Sequence, residues 1–222
     1  KENYNHHYTG LRNITDHFSS KNIKKFLHLG SSIEYGSSSK LFKETAKCKP
    51  STDYGKIKLK CTKYLIGLYK KNKYPICVVR LSSIYGGLQK KELIFNLLNF
   101  IKNKSKEKFI IDYKLLDFCH IDDIVYGLLK LLFSNKSRGE VLNLGSGNLI
   151  STKQIKEYIE KKINKSKYMT KNIKIKHNKS GAIFTDISKA KKVIKWRPKK
   201  IFLRELDKLI IKNNILLKKK LF

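Results

Sequence analysis

Apolar positions recur along the chain at two spacings, and the spacings alternate. Between residues 10 and 20, Leu11, Ile14 and Phe18 fall at helical intervals and predict a helix with one apolar stripe. Lys24-Lys-Phe-Leu-His-Leu29 is a short apolar run closing on Gly30-Ser-Ser. That is the pattern of a buried parallel strand feeding a loop at its carboxyl end. A polar loop with Pro50 follows, and Thr52 or Asp53 caps a helix over residues 53 to 72 that turns Ile57, Cys61, Leu65 and Leu68 inward. Pro75-Ile-Cys-Val-Val-Arg-Leu81 reads as a second buried strand, ending in the turn Ser82-Ser-Ile-Tyr-Gly-Gly87. Beyond it the pattern predicts a helix at 92 to 102, a strand at 109 to 112 and a helix at 122 to 133. A strand at 140 to 144 is closed by Gly145-Ser-Gly147, and a helix runs from Ser151 through Ile163. A small mixed lobe with Trp196-Arg-Pro198 and a lysine-rich C-terminal helix complete the chain. Strands alternating with helices predict an α/β fold with a parallel sheet.

Composition narrows the function. The 222 residues suffice for one domain, or a domain plus a small lobe, and a 41% hydrophobic content excludes a disordered chain. No apolar run reaches the roughly 18 residues of a membrane span. No signal segment opens the chain, and the four scattered cysteines, Cys48, Cys61, Cys77 and Cys119, show no C-x-x-C spacing. A reducing, cytoplasmic setting is expected, with Cys77 in the core. The formal charge of +33 raises nucleic acid as a partner. Only Arg12, Arg80, Arg138, Arg197 and Arg204 of the 50 basic residues are arginine, the residue suited to forked phosphate and base contacts. The lysines are spread evenly, so weak, salt-sensitive polyanion binding is expected and no specific nucleic-acid partner.

The chemistry concentrates near one turn. Tyr54 and Lys58 stand four apart in Asp53-Tyr-Gly-Lys-Ile-Lys58 and share one face if the segment is helical. An ammonium there favours the phenolate and lowers the tyrosine pKa. With a hydroxyl such as Ser31 on the reacting oxygen, the group is an acid/base centre for interconverting an alcohol and a ketone. The hydride needs a cofactor. By itself the spacing also fits a lysine-rich surface helix with one tyrosine at its buried edge. His120, Asp122 and Asp123 invite a metal reading, but two carboxylates at a helix N-terminus are an ordinary cap, and no metal site is expected. Asn143 reads as a strand-end hydrogen bonder.

Several motifs occur in a fixed order: Gly10-Leu-Arg-Asn13, Gly30-Ser-Ser-Ile-Glu-Tyr-Gly36, Tyr54 to Lys58, Arg80-Leu-Ser-Ser-Ile-Tyr-Gly86, Asp117-Phe-Cys-His-Ile-Asp-Asp123, Asn143-Leu-Gly-Ser-Gly147, and Ser188-Lys-Ala with Trp196-x-Pro198. Together they resemble the extended short-chain dehydrogenase/reductases, the NAD-dependent epimerase/dehydratase family acting on nucleotide sugars. The resemblance implies a partial Rossmann-like, doubly wound parallel sheet with a smaller mixed α/β substrate lobe. Residues 1–86 would be the second half of the cofactor domain. Residues 87–222 would be mainly the substrate lobe, with the strand at 140 to 144 returning to the sheet. It implies NAD or NADP as cofactor, a nucleotide-diphosphate sugar as substrate, and a homodimer built on the helices at 10 to 20 and 53 to 72 in the full-length protein.

Position by position, the resemblance makes Ser31, Tyr54 and Lys58 catalytic. Tyr54, Lys58 and Ser82 would contact the cofactor, and Ser32, Ser83 and Gln89 the substrate. Departures from the pattern are equally specific. Ser83 stands where the family grips the nucleotide with Asn, Gly87 replaces a Pro, and Leu116 replaces an Arg. Ser32 and Ile33 occupy the place of the Asp-Glu pair of 4,6-dehydratases, so water elimination lacks its acid and base. A 4-reductase or an epimerase remains. No G-x-x-G-x-x-G precedes the first strand, and the chain opens at Lys1-Glu-Asn-Tyr. A fragment or a trimmed product is therefore expected, binding the cofactor poorly alone; the alternatives are a catalytically inactive truncated remnant of the family and, behind it, a basic nucleic-acid-binding protein.

Overall fold

The computed structural model describes residues 5–19, 21–38, 41–86, 93–103, 107–163, 172–176 and 182–212. Its central element is a parallel three-stranded sheet in the order β1 (Phe26–Ser31), β2 (Ile76–Leu81), β6 (Glu140–Leu144). β2 is the middle strand and is buried on both faces, which explains its continuous apolar run. The period of two divides it cleanly. Ile76 and Val78 face the cluster formed with Leu11, Cys61 and Leu65, beneath α1 (Asn5–His17) and α2 (Asp53–Asn72). Cys77 and Val79 face the opposite cluster of Ile124, Leu131 and Trp196, beneath α4 (Ile121–Phe133) and α6 (Ser188–Ile194).

The predicted α2 is present with Thr52 as its N-cap, its hydroxyl accepting the Gly55 N–H at 3.1 Å. Ile57, Cys61 and Leu65 are buried along it, and Leu68 packs against the same cluster. α1 differs from expectation. It starts at Asn5 and buries Leu11 and Thr15, while Ile14 and Phe18 stay exposed. The buried line is set by Tyr8, Leu11 and Thr15, because Tyr8 packs edge-on to Tyr64 and the Thr15 hydroxyl bonds the Tyr64 hydroxyl at 2.8 Å. β1 also departs from the expected buried strand. It lies at an edge of the described sheet, and Leu29 is 44% exposed.

The lobe is assembled from α3 (Leu93–Lys102), β4 (Phe109–Asp112), β5 (Leu115–His120), β7 (Leu149–Ser151), α5 (Thr152–Ile163), β8 (Ile173–Lys176) and α7 (Phe202–Lys212). The expected turn after β2 contains a strand, β3 (Ser83–Tyr85), which pairs parallel to β5, and β7 joins β5 antiparallel. β4 pairs parallel to β8. Leu97, Ile101, Ile155, Ile159 and Leu206 form the lobe core. No described helix is long and apolar enough to cross a membrane.

Candidate active site

Ser31 ends β1 and caps a 3₁₀ turn at Ser32–Tyr35. Its hydroxyl accepts the Ile33 N–H at 3.4 Å, and its own N–H donates to Glu34 Oε1 at 2.9 Å. The turn lies at the carboxyl end of a parallel sheet, where open α/β sheets bind ligands. The first turn of α2 packs against it closely. A Cβ on Gly55 would come within 3.0 Å of the Ile33 carbonyl and 2.9 Å of Pro50. Only glycine allows the helix this near, and from its second turn Lys58 reaches the Leu29 carbonyl on the strand that ends at Ser31.

A cleft of about 480 Å³ opens there. Seven hydroxyl-bearing residues line it: Ser31, Ser32, Ser37, Ser51, Thr52, Ser82 and Ser83. Ile33, Leu81, Leu115, Leu116 and Ile183 supply apolar wall, and Lys114 contributes a cation. The structure therefore gathers Ser31, Ser32, Ser82 and Ser83 around one space. Thr52, the cap of α2, lines it as well; Tyr54 and Lys58, in the first two turns of that helix, are not among the lining residues. Gln89 lies outside the described residues. Ser82 is 8% exposed, and its Oγ is buried with no hydrogen-bond partner. An orphaned polar atom at a cleft wall calls for a ligand atom.

Lys58 and Tyr54 behave differently from expectation. The Lys58 ammonium donates to the Leu29 carbonyl at 2.7 Å and lies 5.9 Å from the centre of the Tyr54 ring. Burial first, and the Glu34 carboxylate second, hold the Tyr54 phenol above its ordinary value. Burial also pulls Lys58 below its ordinary range. Desolvation is thus the largest influence on both groups, in opposite directions. His7, edge-on to Tyr54 at 6.3 Å between ring centres, and His28 on β1 complete the surroundings. Sequence reasoning gave neither histidine a role.

The remaining candidates are scaffolding. His120 caps α4, with Nδ1 accepting the Asp122 N–H at 3.2 Å. The Asp123 carboxylate accepts the Lys199 and Lys200 N–H groups at 3.0 and 2.8 Å, and its carbonyl accepts Trp196 Nε1. Among the described residues no three metal-binding side chains converge. Asn143 ties three segments together, donating to the Phe42 and Asp186 carbonyls and accepting the Tyr35 hydroxyl. All four cysteines are free, and Cys77 is fully buried. Asp117, missed as an anchor, is buried and takes the Ser146 N–H at 2.7 Å and the Thr185 hydroxyl at 3.1 Å. It fastens the Gly145-Ser-Gly147 turn to β5. A second cleft, of about 350 Å³, is lined by Phe118, Gln154 and Lys199 to Leu203, and holds none of the candidate residues.

Residues 1–145 match the sequence profile of the NAD dependent epimerase/dehydratase family. The chain belongs to that family. It is 31% identical over 197 residues to a UDP-glucuronate 4-epimerase of Thermodesulfobacterium geofontis (strain OPF15), covering 86% of this chain and 59% of that protein. It is 28% identical over 181 residues to the dTDP-4-dehydro-6-deoxyglucose reductase of Escherichia coli, covering 79% of this chain and 57% of that protein. The chain thus spans less than two thirds of these relatives. Among solved structures, UDP-glucuronic acid 4-epimerase from Bacillus cereus, in complex with UDP-glucuronic acid and NAD, superposes with a TM-score of 0.77 at 25% identity, over 90% of this chain and 64% of that one. A dTDP-glucose 4,6-dehydratase from Bacillus anthracis shares the fold, with a TM-score of 0.81 at 22% identity, over 92% of this chain and 67% of that one.

Proposed function

We propose that the protein to which this chain belongs is an NAD(P)-dependent nucleotide-sugar 4-reductase or epimerase. The observation that carries the reading is the convergence of Ser31 and a hydroxyl-lined cleft on the start of the helix bearing Tyr54 and Lys58. Seven hydroxyls over an apolar floor suit a sugar, whose ring offers hydroxyls at its rim and C–H groups on its faces. Tyr54 transfers a proton to or from the sugar oxygen, and Ser31 hydrogen-bonds that oxygen. Ser32 and Ile33 line the cleft where elimination would need carboxylates, so the dehydratase reaction is not proposed.

The nicotinamide end of NAD or NADP fits the residues present. Lys58 and Tyr54 offer donors beside the Ser31 turn, and the orphaned Ser82 Oγ offers another. The bound cofactor supplies or accepts the hydride, which no side chain carries. Among the described residues no glycine-rich turn joins a strand directly to a helix, so no described residue is assigned to the pyrophosphate. Residues 1–86, with the strand at 140 to 144, form the cofactor side in this reading, and most of 87–222 the substrate side. The setting is cytoplasmic, and no specific nucleic-acid partner belongs to it. The full-length protein is a homodimer through α1 and α2, for which exposed Ile14 and Phe18 offer apolar surface. Light scattering reading a monomer at all practical concentrations refutes the dimer.

The test of the reaction is Tyr54→Phe in the complete protein. Turnover of a nucleotide-linked 4-keto sugar, or epimerisation of a UDP-sugar, falls about 10²-fold or more with little change in nucleotide-sugar binding. Near-normal turnover removes Tyr54 from the mechanism.

A further inference from the structure

Behind the Ser31 turn lies a buried ion pair with no part in the proton transfer proposed above. Glu34 is fully buried and Arg80 is 4% exposed. Arg80 Nε donates to Glu34 Oε2 at 2.9 Å. The other carboxylate oxygen, Oε1, accepts the Ser31 N–H at 2.9 Å. The guanidinium is held in turn. It lies 4.4 Å from the centre of the Tyr35 ring and donates to the Glu44 carbonyl at 3.4 Å. Tyr35 is pinned by its bond to Asn143 on β6 at 2.7 Å. The backbone makes room for the carboxylate, since a Cβ on Gly30 would stand 2.6 Å from Glu34 Oε1.

Burying two charges costs several kcal/mol per ion, and apolar side chains of the same volume often stabilise as well or better. The pair is therefore a poor choice for stability alone. What apolar side chains could not supply is an acceptor aimed at the Ser31 amide and a fixed charge near the reacting groups. The titratable groups around Tyr54 and Lys58 are His7 from α1, His28 from β1, the Cys61 thiol from α2 itself and Glu34 from the turn. Glu34 is the one carboxylate among these groups.

We propose that Glu34, clamped by Arg80, is a positioning residue that fixes the Ser31 turn through the Ser31 N–H and sets a negative charge beside the Tyr54–Lys58 pair. It thereby helps keep Tyr54 protonated and Lys58 charged. The inference rests on the reading of Ser31, Tyr54 and Lys58 as the reacting groups, but its test needs no turnover.

Two double variants separate geometry from charge without leaving a lone buried ion. Glu34→Gln/Arg80→Met keeps an acceptor for the Ser31 N–H and removes both charges. Glu34→Ala/Arg80→Met removes the acceptor too. Tyrosine ring-carbon NMR, with Tyr54 assigned through Tyr54→Phe, reads the phenol, and amide hydrogen exchange reads Ser31. In both variants the Tyr54 midpoint falls by roughly 0.5 pH unit or more. Ser31 exchange stays near wild type in the Gln variant and rises by about tenfold in the Ala variant. An unmoved Tyr54 midpoint, or equal Ser31 exchange in the two variants, overturns the proposal. So does a Gln variant that no longer melts cooperatively, since the pair would then serve the core as a whole. An inactive Tyr54→Phe with these readouts as expected supports both readings; an active one with the same readouts sinks the reaction and leaves the positioning intact.

Discussion

The lobe and the parallel sheet are built from similar residues but close differently. In the lobe, α3, α5 and α7 converge on one core, and Leu97, Ile101, Ile155 and Leu206 are fully buried within it. On the sheet, β1 leaves an edge without a strand neighbour among the described residues, and Leu29 is half exposed there. Beside it, α4 buries Ile124 and Leu131 on one side and presents Val125, Tyr126, Leu129, Leu132 and Phe133 to solvent on the other. Phe133 is 81% exposed. α4 thus carries apolar groups on two sides, although Asp122, Asp123 and Lys130 interrupt it. The Ser31 turn lies on the open region, and Lys114, Leu115 and Leu116 of the covered region wall the cleft beside it.

The sharpest test of that contrast compares two truncations. Ile155→Ala in the lobe core should cost about 3–4 kcal/mol of unfolding free energy. Leu129→Ala on the open face of α4 should stay within about 0.5 kcal/mol of wild type. Urea unfolding of the 222-residue chain measures both. Equal losses would mean that α4 is covered in solution and that the two regions close alike.

The same contrast explains what was legible in the sequence. α2, β2, β4 and β6 could be read because each carries a continuous local signal: a cap with an inward stripe in α2, an apolar run after Pro75 in β2 or between Gly139 and Gly145 in β6, and a short apolar run in β4. β3, β5 and β7 could not. β3 and β7 are three residues each, and all three strands pair with one another across distances in sequence that no local window sees. α1 was misplaced because its buried side is decided by Tyr64 on α2, not by its own spacing. At the site, motif order located Ser31, Ser32, Ser82 and Ser83, and the cleft unites them. Burial, which sequence does not report, and the Glu34 carboxylate both raise the Tyr54 phenol. Glu34 was visible only as a letter within its motif; its partner Arg80 comes from β2.

His28 gives a second, smaller test of how firmly the β1 edge is held. Burial, helped by Lys58 and His7, drives its imidazole down to about 4, and its Nε2 is buried without a partner. The folded state therefore resists a proton that the unfolded chain accepts. The stabilisation is complete above about pH 6.5 and is lost as pH falls toward 4, amounting to about 2–3 kcal/mol at most. His28→Gln should flatten the pH dependence of urea unfolding across this window. An unchanged slope would mean that His28 titrates normally and that the edge opens to water.

The smallest effect on stability falls on the open face itself. Leu129→Glu with Phe133→Glu places charge where apolar groups meet water, so unfolding free energy should move by no more than about 0.5 kcal/mol. Self-association should change far more. Contiguous exposed apolar surface drives association of soluble chains, and the stripe on α4 is contiguous along one side of the helix. It lies across the sheet from α1 and α2, where the homodimer is proposed, so the two kinds of association separate. Light scattering at rising concentration should show the growth of larger species suppressed in the double variant, while Ile14→Asp on α1 leaves that growth in place. If the α4 variant associates as the wild type does, the stripe is not a sticky face. The contrast between a closed lobe and an open sheet would then rest on the β1 edge alone.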